Sequence, residues 1–83
     1  MRYTVVWLAF TEATLAKLWI RATDRQAVSD AADRIDVALS RDPETKGTPL
    51  GNFFVREDDP LSVLYQVDPG DRMVRVIGVK RMN

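Results

Sequence analysis

Along the chain the spacing of apolar and polar positions changes several times, and each change marks an element. Residues 2–8, RYTVVWL, are β-branched and aromatic and have the length of one strand. Leu15, Leu18, Trp19 and Ala22 then fall at i, i+3, i+4 and i+7, which is one face of a helix, with Thr11 as its expected N-cap. A second helix is expected from Thr23 or Asp24. Thr23 and Gln26 have the spacing of a capping box, in which hydroxyl and amide satisfy each other's orphan backbone groups. Val28, Ala31, Ala32, Ile35 and Leu39 form one apolar stripe, and Asp30 and Arg34 are spaced to pair across a turn. Arg41 is expected in the last turn, where a cation suits the helix dipole, and Pro43 marks the stop. Almost nothing separates the two helices, so an antiparallel hairpin is expected.

Beyond residue 41 the period drops to two. Residues 42–51, DPETKGTPLG, read as a loop. Strands are expected at about 52–57, 61–67 and 72–80, broken by Asp58-Asp59-Pro60 and by Asp68-Pro69-Gly70-Asp71. In the second turn Pro69 presets φ and Gly70 accepts a positive φ. The order β-α-α-β-β-β predicts one α+β domain over residues 1–83. Its N-terminal strand and helical hairpin pack on one face of a mainly antiparallel sheet.

Such a sheet should be apolar on one face and polar on the other. The strand at 61–67 nearly obeys, because Leu61, Val63, Tyr65 and Val67 alternate with Ser62, Leu64 and Gln66. The others do not. Tyr3, Val5 and Trp7 oppose Thr4, Val6 and Leu8; Phe53 and Phe54 are adjacent; Met73, Ile77 and Val79 oppose Val74 and Val76. Helices cover only one of these sets, which leaves a surplus apolar face. Sheet twist, arginine stems or the 42–51 loop are one way to cover it; a protein partner lying across the sheet is the other. The partner-facing candidates are Val6, Leu8, Phe53, Leu64, Val74 and Val76.

Composition narrows the chemistry. The 83 residues include no His and no Cys, which removes imidazole acid–base catalysis, thiol nucleophiles, disulfides and Cys/His zinc sites. No apolar run approaches the roughly 18 residues of a membrane span, and no basic-then-apolar leader is present, so a cytoplasmic protein is expected. Asp58 and Asp59 read as turn acids, and Asp30, Asp33 and Asp36 as a solvated helix face, so neither a metal nor a cofactor is expected. Tyr65, Trp7 and Trp19 read as core rings. The 12 Lys and Arg balance 12 Asp and Glu, but unevenly. Acids dominate residues 24–44, whereas residues 72–83 carry Arg72, Arg75, Lys80 and Arg81 and no acid. Arg72 and Arg75 are expected to answer Asp68 and Asp71. Arg56, Lys80 and Arg81 remain as candidates for contact with phosphate, each near a strand end.

The order of elements, RYTVVWL, the helix with Leu15 and Trp19, AADRIDVALSRDP, VLYQV and the ending VRVIGVKR together resemble the RelE/ParE superfamily, the small toxins of type II toxin–antitoxin systems. The resemblance spans essentially the whole chain. It implies a toxin held inactive by a cognate antitoxin in a hetero-oligomer, with growth inhibition through the ribosome and its mRNA or through DNA gyrase. For the RelE-like branch it implies mRNA cleavage in the ribosomal A site by basic residues. Those bases fall on or near Phe53, Val55 and Ser62 here, and only Lys80-Arg81 matches. Arg56 lies beside a basic position but out of register, and the sequence through Asn83 has neither a terminal His-Tyr pair nor a further helix. Catalytic candidates are thus Arg56, Lys80 and Arg81. The competing readings are a non-catalytic interaction module of the same fold and a degenerate toxin.

Overall fold

The computed structural model describes residues 2–82. The elements run β1 (Thr4–Trp7), α1 (Ala9–Arg21), α2 (Arg25–Leu39), a short 3-10 turn (Pro43–Thr45), β2 (Thr48–Leu50), β3 (Phe53–Asp58), β4 (Leu61–Asp68) and β5 (Met73–Arg81). The strands form one five-stranded sheet in the order β1-β5-β4-β3-β2. β1 pairs parallel to β5, and every other pairing is antiparallel. The expected α+β architecture is therefore present, with one strand more than the pattern suggested. β2 lies inside the expected 42–51 loop, because Thr48, Pro49 and Leu50 pair with Val55, Phe54 and Phe53 across a turn at Gly51, whose φ is +61°. Three residues containing a proline carry no period of their own, and only the pairing reveals them.

α2 packs as its stripe requires. Val28, Ala31, Ile35 and Leu39 are buried, and they meet Leu61, Val63 and Tyr65 of β4 and Val74 and Val76 of β5 in one core. Each Val, Leu or Ile side chain so buried contributes about 1.5–3 kcal/mol. Its cap differs from expectation. The Asp24 carboxylate accepts from the Ala27 amide at 3.0 Å, while the Gln26 amide donates to Asp30 at 2.8 Å, so no Thr23–Gln26 box forms. Asp30 is thereby engaged, and Arg34 turns away from it to Asp58, 2.9 Å off, and to the Asp59 carbonyl at 3.3 Å. α2 ends at Leu39, so Arg41 lies beyond the last turn and Pro43 opens the 3-10 turn.

α1 starts earlier than expected, at Ala9, directly after β1. Leu8 occupies the N-cap without a side-chain bond, and Thr11 is an interior residue 1% exposed. With no polar linker after Trp7 there is no room for a hydroxyl cap. The hairpin is clasped by Trp19, whose indole N–H donates to Ser29 Oγ at 3.1 Å. The Arg25 guanidinium stacks 4.9 Å above the same ring and donates to the Ile20 carbonyl at 3.0 Å. Trp19 is 40% exposed, so it fastens two helices rather than anchoring the core. Trp7 does pack on the core and donates to Asp36 at 3.2 Å.

At the β4–β5 turn the Asp68 carboxylate accepts from the Asp71 amide at 3.1 Å and pairs with Arg75 at 3.7 Å. The left-handed residue there is Arg72, at φ 51°, and not Gly70. The turn is one residue longer than the Pro-Gly signal implied, since Arg72 N donates back to the Pro69 carbonyl at 3.4 Å.

Candidate functional site

The helices cover one face of the sheet and leave the other open. Strand register assigns each side chain to a face. On the covered face lie Leu61, Val63, Tyr65, Val74 and Val76, each no more than 1% exposed. The residues between them turn the other way, and their cross-strand partners extend that face: Val55 and Leu64 with Gly78, Glu57 and Ser62 with Lys80, and Gln66 with Arg75 and Val6.

One irregularity decides which residues of β5 belong where. Leu64 pairs with Gly78 but Tyr65 pairs with Val76, so Ile77 is an extra, unpaired residue in a β-bulge. The bulge reverses the in–out alternation after Val76. Val74 and Val76 therefore join Val79 on the helix side, and Lys80 turns to the open side. This corrects the expectation that Val74 and Val76 face a partner: both are 0% exposed and belong to the core on the helix side, where α1 packs on β5. Leu8 is also displaced from the sheet, to the start of α1. Val6, Phe53 and Leu64 share the open face, all of them half-buried with no helix over them.

The middle of this face is a groove of about 410 Å³ lined by Val55, Glu57, Ser62, Leu64, Gly78 and Lys80. A side chain at Gly78 would meet Leu64 Cβ at 3.6 Å, an ordinary contact, so its absence deepens the floor rather than relieving a clash. At one end Glu57, Ser62 and Lys80 stand in a single cross-strand row. Ser62, 4% exposed, lies between one acid and one base. The groove is thus apolar along its floor, with a charge of each sign at one end.

The three basic candidates do not meet there. Arg56 pairs in register with Val63 and so belongs to the covered side. Its guanidinium donates to the Lys46 carbonyl at 2.9 Å and reaches Asp58 at 3.5 Å, which ties the 43–47 segment to β3. Its Nε is buried without a partner. Arg81 pairs with Leu61 and lines a separate hollow of about 200 Å³ with Thr23, Asp24 and Asp59, beside the start of α2. Lys80 alone lines the groove. Consecutive strand residues face opposite ways, so a Lys-Arg pair cannot serve one side of a sheet.

Asp58 is also more than a turn acid. Its side chain, 15% exposed, holds Arg34 and Arg56 together. Tyr65 is a core ring, as its alternation implied. It stacks on Phe54 with centroids 5.5 Å apart, and its hydroxyl donates to the Pro43 carbonyl at 2.6 Å. Burial pushes the phenol up to about 12, with the Arg56 charge pulling weakly the other way. A phenol so held is no proton donor to a substrate on the far side of the sheet.

No family model matches the sequence, and no curated protein is similar to it at a significant level. Solved structures are similar. The toxin–antitoxin complex RelBE2 from Mycobacterium tuberculosis contains a chain that superimposes with a TM-score of 0.82 at 23% identity, over 98% of this chain and 99% of that one. The chain has the RelE/ParE fold. Two further structures place it in the same frame: the chromosomal ParDE system of Pseudomonas aeruginosa, with TM-score 0.74, 13% identity and 99% and 98% coverage, and the free E. coli toxin RelE, with 0.72, 16%, 98% and 84%. Within the RelE/ParE fold the groove described above is on the helix-free side of the sheet.

Of the groove-lining residues, the sequence names Leu64 as partner-facing and Lys80 as a candidate for phosphate contact, and Val55 and Ser62 only as places where a base is missing. Glu57 was overlooked, although alternation from Phe53 and Val55 already sets it on their face. The groove's depth at Gly78 depends on the bulge, for which the sequence carries no signal.

Proposed function

We propose that the chain is the toxin of a type II toxin–antitoxin system: a single cytoplasmic domain neutralised by a cognate antitoxin that lies across the open sheet face. The observation that carries this reading is the uncovered groove, an apolar floor that a lone domain of this size has reason to hide. The fold agrees with it, since chains of the same fold occur in the RelBE2 and ParDE toxin–antitoxin structures. Among the described residues no helix is long and apolar enough to cross a membrane.

Of the two targets that the resemblance to the RelE/ParE superfamily implies, separated bases favour a protein target such as DNA gyrase over cutting of mRNA. Transition-state charge on a phosphate calls for several donors converging on one point. Here Arg56, Lys80 and Arg81 open onto three different places, and the single groove cation shares its row with Glu57. Induced expression in a bacterial host tests the whole reading. Growth should stop and should resume when the gene adjacent to it is co-expressed; unaffected growth without a binding neighbour defeats the toxin assignment. The target is read on one preparation by gyrase supercoiling and by ribosome-dependent mRNA cleavage. Supercoiling should fall while mRNA stays intact. Cleavage that Lys80→Ala or Arg81→Ala abolishes would establish the nuclease instead.

A further inference from the structure

The solvent face of α1 is unusual for a surface helix. Its inner face carries Thr11, Leu15, Leu18 and Ala22, which are buried or half-buried. Its outer face should then be polar. Instead Ala9, Ala13, Ala16 and Ile20 line it, at successive steps of four, three and four, and all are exposed. Phe10 beside them is 78% exposed, Ile20 is 60% exposed and Leu8 is 37% exposed. The stripe follows the a/d spacing of a coiled coil, with Ala13 and Ile20 as a positions and Ala9 and Ala16 as d positions. Glu12 then takes the g position and Lys17 the following e position, on opposite flanks. Among the described residues neither makes an ion pair within the chain.

We propose that α1 is a homodimer surface that pairs, parallel and about a two-fold axis, with α1 of a second copy of this chain. The charges choose the occupant and its direction. In a parallel pair each g position reaches the e position five residues on in its neighbour, so Glu12 of each copy meets Lys17 of the other, twice over. In an antiparallel pair like flanks meet, and the flank of Lys17 and Arg21 faces its own copy. The small side chains at Ala13 and Ala16 let the backbones approach closely at the centre. Ile20 packs on Ile20 at one end, and Leu8 and Phe10 lose exposed surface at the other. The helix is about 20 Å long at 1.5 Å per residue, so the contact is at the small end of specific interfaces. It forms at micromolar rather than nanomolar concentration. This face is separate from the sheet groove, and the inference does not rest on the toxin reading.

Sedimentation equilibrium of the purified chain, with circular dichroism to confirm folding, tests the proposal. The wild type should show concentration-dependent dimerisation. Glu12→Lys or Lys17→Glu alone should weaken it by at least about tenfold, which is about 1.4 kcal/mol. An equimolar mixture of those two variants should regain a dimer, because each then opposes charges of the other sign, and the double reversal should regain it as a homodimer. Val37→Glu, an exposed change on α2, should leave it unaffected. A chain that stays monomeric at all concentrations overturns the proposal, including one whose α1 is shielded only when the antitoxin is added. So does a dimer indifferent to the single reversals. Reversals that weaken the dimer without recovery in the mixture overturn the parallel pairing.

Discussion

The two faces of the one sheet are built from similar residues and have opposite fates. On the helix side Leu61, Val63, Tyr65, Val74 and Val76 are at most 1% exposed and form one core with the α2 stripe. On the open side Val6, Phe53, Val55 and Leu64 are scarcely less apolar but have no helix above them. The difference teaches where stability ends and interaction begins. Side chains of one kind, a single pleat apart, hold the fold in one direction and offer a surface in the other. Substitution on the two sides should therefore separate folding from binding.

The largest effect belongs to the covered side. Leu61→Ala removes a fully buried side chain beneath α2, and large-to-small changes at such sites cost about 2–5 kcal/mol. The chemically identical change at Leu64, three residues along and on the other face, should cost less than about 1 kcal/mol, because a half-buried side chain leaves no sealed cavity. Urea denaturation of the two variants under one set of conditions makes the comparison. Equal losses would mean that the open face is as much a core as the closed one.

A slightly smaller effect is expected where the covered side is sealed at its edge. Gly47 sits against the Tyr65 hydroxyl, and a Cβ there would also lie 2.8 Å from the Val55 carbonyl oxygen. One neighbour is backbone and the other a ring stacked on Phe54 and bonded to Pro43, so neither gives way easily. Gly47→Ala should destabilise by about 1–3 kcal/mol, the usual cost of overpacking. It should also loosen the 43–47 segment held by Arg56, a change visible as faster amide exchange in that segment.

Tyr65→Phe tests the same edge more gently. It removes a buried hydrogen bond to the Pro43 carbonyl and leaves the ring, for a loss of about 1 kcal/mol near neutral pH. The pH dependence is more diagnostic. An unfolded phenol releases its proton near pH 10, whereas the folded one keeps it to about 12. Between these values the unfolded chain binds fewer protons than the native one, so stability falls as pH rises through that window. Below pH 10 the phenol contributes no pH dependence. The wild type should thus lose its advantage over the Phe variant between pH 10 and about 12, as followed by denaturation at each pH. A constant difference across that range would mean that the hydroxyl is not sequestered.

These contrasts also explain what the sequence could and could not convey. The α2 stripe from Val28 to Leu39 was legible because burial on one face imposes a period of 3.6 that chance does not supply. The alternation in Leu61–Val67 was legible for the same reason at period two. Thr11, by contrast, resembled a cap but lies within α1, since a hydroxyl before an apolar run reads alike in either position until the end of β1 is known. Val74 and Val76 fall on the wrong face when alternation is counted back from Val79, because the bulged residue Ile77 puts the two halves of β5 out of step by one. Bulges are set by pairing across strands, a nonlocal fact. Arg56 was misjudged on the same ground. Its proximity to a strand end suggested an accessible cation, but the partners that absorb it, the Lys46 carbonyl and Asp58, come from the fold.

The smallest effect on stability, and the most informative for function, should come from Lys80. Its side chain is exposed at the end of the groove, it makes no ion pair among the described residues, and its register partner Ser62 needs no salt bridge to stay buried. Lys80→Ala should leave the denaturation midpoint within error of the wild type, as expected for a surface change away from any cap, turn or buried network. Binding is another matter. If the toxin assignment proposed above holds, an antitoxin segment lying in the apolar groove gains orientation from the charges at its end, where Lys80 and Glu57 flank Ser62 with opposite signs. Removing only Lys80 leaves Glu57 uncompensated beneath the partner, so antitoxin affinity should fall by about tenfold, and chiefly through faster dissociation. Surface plasmon resonance on the folded variant measures this directly. If Lys80→Ala binds as the wild type does, while Leu64→Ala weakens binding, the groove takes its partner by the apolar floor alone. If neither change matters, the proposed antitoxin does not lie across the open side of the sheet.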